Sequence, residues 1–146
     1  MPGPFAGLRV VDLTTVFVGP IAGQMLGDMG ADVIKVEALK GDMARAFPPL
    51  INDESVSFAS LNRNKRSLAV DLKNPGGLEI VKKLARTADA VLENNRPGAM
   101  EKLGLGADEL KRTNPELVYV SISGFGQTGP SRQRGGLNVI AEAASG

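Results

Sequence analysis

The chain has 146 residues, 42% of them apolar and 23% charged, with a formal net charge of +1. That is enough for one domain with its own core, and a near-even balance of spread-out charges calls for no nucleic acid partner. Cysteine and histidine are both missing, which excludes a disulfide framework, a thiol nucleophile, a Ser-His-Asp triad and every histidine metal site; Asp and Glu remain as ligand types, but they form no loop of alternating carboxylates, so no metal is expected. In chain order, Leu8-Arg9-Val10-Val11-Asp12-Leu13 reads as a strand that ends at Thr14-Thr15. Gly19-Pro20 breaks the chain, and Ile21–Met29 carries Ile21, Met25, Leu26 and Met29 at helical spacing, with Gly30 as its stop. Asp32–Glu37 is the next strand, completing a βαβ unit with parallel strands and a right-handed crossover. Residues 38–60 are less regular, and Gly41, Pro48, Pro49 and Asn52 mark them as loop. Ser67–Leu72 reads as a third strand. Asn74-Pro75 opens a helix whose expected buried side is Leu78, Ile80, Val81, Leu84 and Ala85. Asp89–Glu93 is a strand, Arg96-Pro97-Gly98 a turn, and Ala99–Leu103 and Asp108–Arg112 are short helices. Leu117–Ile122 is the last strand, a Gly-rich stretch Gly124–Pro130 follows it, and Asn138–Ala144 begins another helix.

Strands alternating with helices predict an α/β fold: an open parallel sheet with helices on both faces. Such a sheet takes ligands at the carboxyl ends of its strands, which points to loops 14–20, 37–48, 93–98 and 122–130. The loop Thr14–Pro20 precedes a helix N-terminus, yet Gly19 and Gly23 do not make a GxGxxG fingerprint, which argues against a nicotinamide dinucleotide. Asn62-Arg63-Asn64-Lys65-Arg66-Ser67 places three cations within four residues. They suit either a phosphate or a solvated loop before a strand. The N-terminus lacks a basic segment followed by a long apolar stretch, and no apolar run approaches the length of a membrane span. No membrane partner is expected, and the cytoplasm is the expected compartment.

These segments together resemble the class III CoA-transferases, also called the CaiB/BaiF family. The likeness runs from Leu8–Pro20 through GQMLGDMGADVIKVE and Gly41-Asp42-Met43-Ala44-Arg45. It continues with Asn62–Ser67, VDLKNPGG, Glu93-Asn94, Arg96-Pro97-Gly98 and Lys102-Leu103-Gly104. It closes with Ser123–Pro130 and Ala143-Ala144-Ser145-Gly146, so it covers nearly the whole chain in order. The resemblance implies a Rossmann-like large domain with a smaller second domain, two chains threaded as interlocked rings, and acyl-CoA thioesters of small organic acids as substrates. It also implies nucleophilic catalysis by an Asp, through a mixed anhydride and an aspartyl-CoA thioester.

In relatives that Asp lies beyond the stretch matching Ala143–Gly146. Residues 1–146 are therefore expected to be the N-terminal part of the CoA-binding domain, inactive alone, without the second domain and the return of the chain. The resemblance implies a coenzyme A site at Phe17, Val18, Lys65, Arg66, Asn94, Asn95, Lys102 and Ser123. Phe17 and Val18 would lie at the thioester end, Lys65, Arg66 and Lys102 near the phosphates, and Asn94 and Asn95 against adenine and ribose. Ser123 stands where some relatives have a CoA-contacting Lys. No cofactor is expected to be held permanently; coenzyme A and a small carboxylic acid are the expected substrates, and a homodimer the expected assembly. A 2-methylacyl-CoA racemase ranks lower, since its two bases are missing from the segment at Gly136-Leu137-Asn138. A non-catalytic CoA-binding or dimer-forming remnant is the third alternative.

Overall fold

The computed structural model describes residues 2–136 together with Ile140, Ala143 and Ser145. Five strands form one parallel sheet: β1 (Arg9–Asp12), β2 (Asp32–Glu37), β5 (Lys65–Ala69), β6 (Ala90–Glu93) and β7 (Val118–Ser121). Their order across the sheet is β5-β2-β1-β6-β7, with the first strand in the middle. Helix α1 (Val18–Asp28) links β1 to β2, α3 (Pro75–Arg86) links β5 to β6, and α4 (Ala99–Lys102) and α5 (Ala107–Thr113) precede β7. The expected α/β class and parallel sheet are thus observed. The expected helix Asn138–Ala144 falls largely outside the described residues.

The central strands are apolar on both faces, as a sheet covered on two sides requires. Val11, Leu13, Val36, Val70 and Val91 pack with Val81 and Ala85 of α3, Leu110 of α5, and Met100, Leu105 and Leu117 in the larger core. On the opposite face Val10, Val33 and Leu92 meet Ala31, Ala22, Leu26 and Phe5 in a smaller one.

Four elements differ from the sequence reading. The third strand of the sheet is Lys65–Ala69, not Ser67–Leu72, because the ladder pairs Val33 with Lys65 and Glu37 with Ala69. Its polar start is tolerated because β5 is an edge strand whose cations find carboxylate partners. Residues 38–60 are more ordered than a loop. They hold a 3-10 turn (Met43–Ala46), a hairpin of β3 (Leu50–Ile51) and β4 (Glu54–Ser55), and α2 (Val56–Asn62). The hairpin turn Asn52-Asp53 has positive φ at both residues, the type I′ geometry that suits Asn and Asp. In α3 the buried face is Gly77, Val81 and Ala85, which leaves Ile80 exposed.

Helix α1 departs furthest. It starts at Val18 rather than Ile21, and Pro20 sits in its first turn, where its missing N–H costs nothing. It buries Gly19, Pro20, Gly23 and Gly27, while Val18, Ile21, Met25 and Met29 stay exposed. The reason is close approach. A Cβ at Gly19 would meet the Thr14 Cβ at 2.3 Å, and one at Gly23 would meet the Asp12 carboxylate at 2.6 Å. The helix lies on the sheet through a stripe of glycines with Ala22 and Leu26 beside it, so of the expected apolar face Leu26 packs inward while Ile21, Met25 and Met29 face outward.

Candidate functional site

At the carboxyl ends of β1, β2, β5 and β6 the chain opens into a cleft of about 640 Å3. Leu13 and Thr15 line it from β1, Val36 to Met43 from β2, Val70 to Lys73 from β5, and Asn95 and Met100 from beyond β6. Loops 14–20, 37–48 and 93–98 therefore meet there as the topology predicts, and 122–130 does not line it. The lining is mixed: apolar Leu13, Val36, Leu39, Met43, Leu72 and Met100 lie beside two exposed cations, Lys40 and Lys73. The sequence reading missed both lysines. Lys73 follows β5 just as the other binding loops follow their strands, but the loop after that strand was not among those expected to take a ligand.

Beneath the cleft lies a buried charged layer. Lys35 donates to the Asp42 carboxylate at 3.0 Å and to the Thr14 carbonyl at 2.8 Å, with both ionic side chains almost fully enclosed. Asp12 receives Lys65 at 2.8 Å on one oxygen and the Thr14 N–H at 2.9 Å on the other, which also accepts the Thr14 hydroxyl. Glu37 takes a two-pronged contact from Arg45, both arms at 2.8 Å, and also receives the Asp42 N–H and the Ser67 hydroxyl. Burial pushes the Glu37 carboxyl up, but Arg45, the Asp42 N–H and Lys35 together outweigh it and hold it below the usual carboxylate range. Burial also lowers the Lys65 ammonium from its ordinary value, with Asp12 opposing.

The expected site residues separate into groups. Lys65 has a side chain only 1% exposed, and its three donors already meet Asp12, Pro20 O and Asn62. It has nothing left to offer a phosphate. Arg66 turns to Asp32 at the start of β2, the opposite end of the sheet from the cleft, with two 2.8 Å bonds. The structure thus gives both cations of the expected phosphate cluster other partners. Asn94 is also engaged: its amide accepts from Thr15 N and donates to Thr15 O, both at 2.8 Å. Asn95 lines the cleft, and its N–H caps the Glu93 carboxylate at 2.8 Å. Lys102 is exposed at the end of α4 and makes no ion pair among the described residues. Phe17 stacks on Phe47 with ring centres 5.7 Å apart, and Val18, 64% exposed, opens α1. Neither lines the cleft, but both follow closely on Thr15, which does. Ser123 is partly exposed and lies within 3.5 Å of the Gln127 amide.

Residues 5–146 match the family model for CoA-transferase family III. The chain belongs to that family. Among curated relatives, the mouse succinyl-CoA:glutarate CoA-transferase is 48% identical over 98% of this chain, which spans 33% of that protein. The crystal structure of a CAIB/BAIF family protein from Brucella suis is 40% identical with a TM-score of 0.94, over 99% of this chain and 39% of that one. The structure of Rv3272 from Mycobacterium tuberculosis is 42% identical with a TM-score of 0.93, over 99% of this chain and 41% of that one. The chain therefore spans about a third of the length of the curated relatives it matches. No helix among the described residues is long and apolar enough to cross a membrane.

Proposed function

We propose that this chain forms the coenzyme A-holding part of an acyl-CoA:carboxylate CoA-transferase acting on small organic acids. The observation that carries the reading is the cleft at the carboxyl ends of the strands, with Lys40 and Lys73 exposed at its wall. An elongated ligand with phosphates at one end and an apolar arm at the other suits such a lining. Membership of the family, whose members here include transferases of succinyl and acetyl thioesters, supports the same ligand class. In this reading Lys40, Lys73 and Lys102 attract the phosphates, Asn95 sits beside the bound nucleotide, and the backbone at Phe17–Val18 lies toward the thioester. Ser123 stands at the margin.

The reading assigns no nucleophile to the carboxylates beneath the cleft. Asp12, Asp42 and Glu37 are committed to Lys65, Lys35 and Arg45. The chain on its own is thus proposed to hold CoA without exchanging it. Self-association is part of the proposal, supported by the outward stripe of Val18, Ile21, Met25 and Met29.

Calorimetric titration of CoA tests this, with the parent chain set against Lys40→Ala and Lys73→Ala. Each variant is expected to weaken binding about tenfold, the loss of one charge-assisted contact, and added salt is expected to weaken the parent. Parent-like affinity in both variants would remove the cleft from the reading.

A further inference from the structure

The stretch from Thr14 to Val16 belongs to no helix or strand, yet side chains hold nearly all of its backbone polar groups. Asp12 accepts the Thr14 N–H and Lys35 donates to the Thr14 carbonyl. Asn94 takes both the N–H and the carbonyl of Thr15. Asp42 accepts the Val16 N–H, at 3.1 and 3.2 Å to its two oxygens. A little further on, Lys65 donates to the Pro20 carbonyl. These side chains come from the end of β1, the middle of β2, the start of β5, the residue after β6 and the loop after β2.

The grip has something to oppose. Val16 has φ of +69°, in the left-handed region that a β-branched residue rarely enters. Such a conformation costs free energy and persists only where its surroundings over-determine it. Asn94 differs from the other clamps in being neutral and only half-buried. Its carboxamide is paired donor to acceptor and acceptor to donor with one residue, as a neighbouring strand would be. One N–H and one lone pair of the carboxamide stay open, but a ligand that turned the group toward itself would break both bonds to Thr15.

We infer that Asn94 is a positioning residue: it fixes Thr15, and through it the loop leading to Phe17 and Val18, and does not itself hold the nucleotide. Thr15 is a wall of the cleft. Asn94 therefore shapes the end of the site that the acyl arm approaches. This rests on the coenzyme A reading for its ligand consequence but not for its structural one.

Two measurements on the 146-residue chain test it. The first is amide exchange by NMR without ligand, comparing the parent with Asn94→Ala and Asn94→Asp. Loss of two net hydrogen bonds predicts exchange roughly tenfold to a hundredfold faster at Thr15 and Val16, with the amides of β1 and β2 unchanged. Asn94→Asp keeps the acceptor for Thr15 N but sets a carboxylate oxygen against Thr15 O, so it fails to restore protection, and it stands in if Asn94→Ala does not fold. The second measurement compares CoA with adenosine 3′,5′-bisphosphate, which lacks the pantetheine arm. Asn94→Ala is expected to weaken CoA by at least about fivefold while leaving the bisphosphate within about twofold. Unchanged exchange at Thr15 and Val16 overturns the inference, and so does an equal loss for both probes, which would mean direct contact with the nucleotide. If the parent binds neither probe, the coenzyme A reading fails, and the exchange result alone decides the positioning role.

Discussion

Replacing Lys65 with Met separates a structural cation from a ligand-binding one. The substitution keeps most of the aliphatic stem and removes the ammonium. Asp12, fully buried on the central strand, then keeps only its bonds to Thr14 and loses its counter-charge, while Pro20 O and Asn62 each lose a donor. Breaking a buried pair by removing one partner typically costs about 3–5 kcal/mol, because an uncompensated charge remains. Against a total stability of about 5–15 kcal/mol for a domain, that is roughly a fifth or more. In urea, with a slope near 2 kcal/mol per molar, the midpoint should fall by about 2 M. The companion double variant, Lys65→Met with Asp12→Asn, removes both charges and is expected to lose less than the sum of the single losses. Equilibrium urea unfolding followed by circular dichroism measures all of them, with CoA affinity determined on the folded fraction. A Lys65→Met chain destabilised by under about 1 kcal/mol, the range of a solvated ion pair, but weakened tenfold for CoA would refute the structural role.

Three further outcomes are expected. Gly23→Ala should destabilise the chain by about 1–3 kcal/mol, as overpacking does, because the new Cβ would stand 2.6 Å from the Asp12 carboxylate and 3.1 Å from the Lys65 ammonium; thermal unfolding reads the loss, and a parent-like melt would show that α1 can lift off β1 freely. Glu37, held below its ordinary range in the fold, stabilises the protein above its unfolded value of about 4.3, and that contribution is lost as pH falls through the lower folded value. Urea midpoints taken between neutral pH and about pH 3 should therefore fall, and Arg45→Met should flatten the fall; an identical acid slope in both chains would remove Arg45 from the account. Sedimentation velocity over a range of concentrations should show self-association of the parent that Met25→Glu diminishes, since Met25 is 52% exposed on the outward stripe of α1; a parent that stays monomeric at high concentration would contradict the reading of that stripe.

The alternation of elements was readable because β1, β2 and β6 each carry a short β-branched or apolar centre, Val10-Val11, Val33-Ile34 and Ala90–Leu92, and α3 opens with Asn74-Pro75, where the Asn side chain accepts from Gly76 N. What misled was the assumption that a strand must be apolar and that a helix buries its apolar side. β5 begins with Lys65, Arg66 and Ser67 and still pairs along β2, because an edge strand with acidic neighbours tolerates cations. Helix α1 offers a clean row of Ile21, Met25 and Met29, yet the side that meets the sheet is Gly19, Gly23 and Gly27. A glycine every fourth residue was the available signal. Hydrophobic periodicity cannot register it, since glycine contributes closeness rather than side-chain area.

The site was legible as a set of loops but not as a set of roles, and the reason lies in pairing at long range. A cation cluster in sequence has the same appearance whether it meets a phosphate or a buried aspartate. Lys65 and Asp12 stand 53 residues apart, and Arg66 and Asp32 stand 34 apart. Only the parallel order, which sets β5 beside β2 and β2 beside β1, brings those partners together. The same order explains which cations remain for a ligand. Lys35 and Lys65 lie within or at the start of strands and are drawn under the sheet's end to hold carboxylates and loop carbonyls. Lys40 and Lys73 lie just past strand ends, with their side chains left in the open cleft. For a parallel sheet, a lysine's position relative to the last residue of its strand is thus a better guide to ligand contact than the local density of charge.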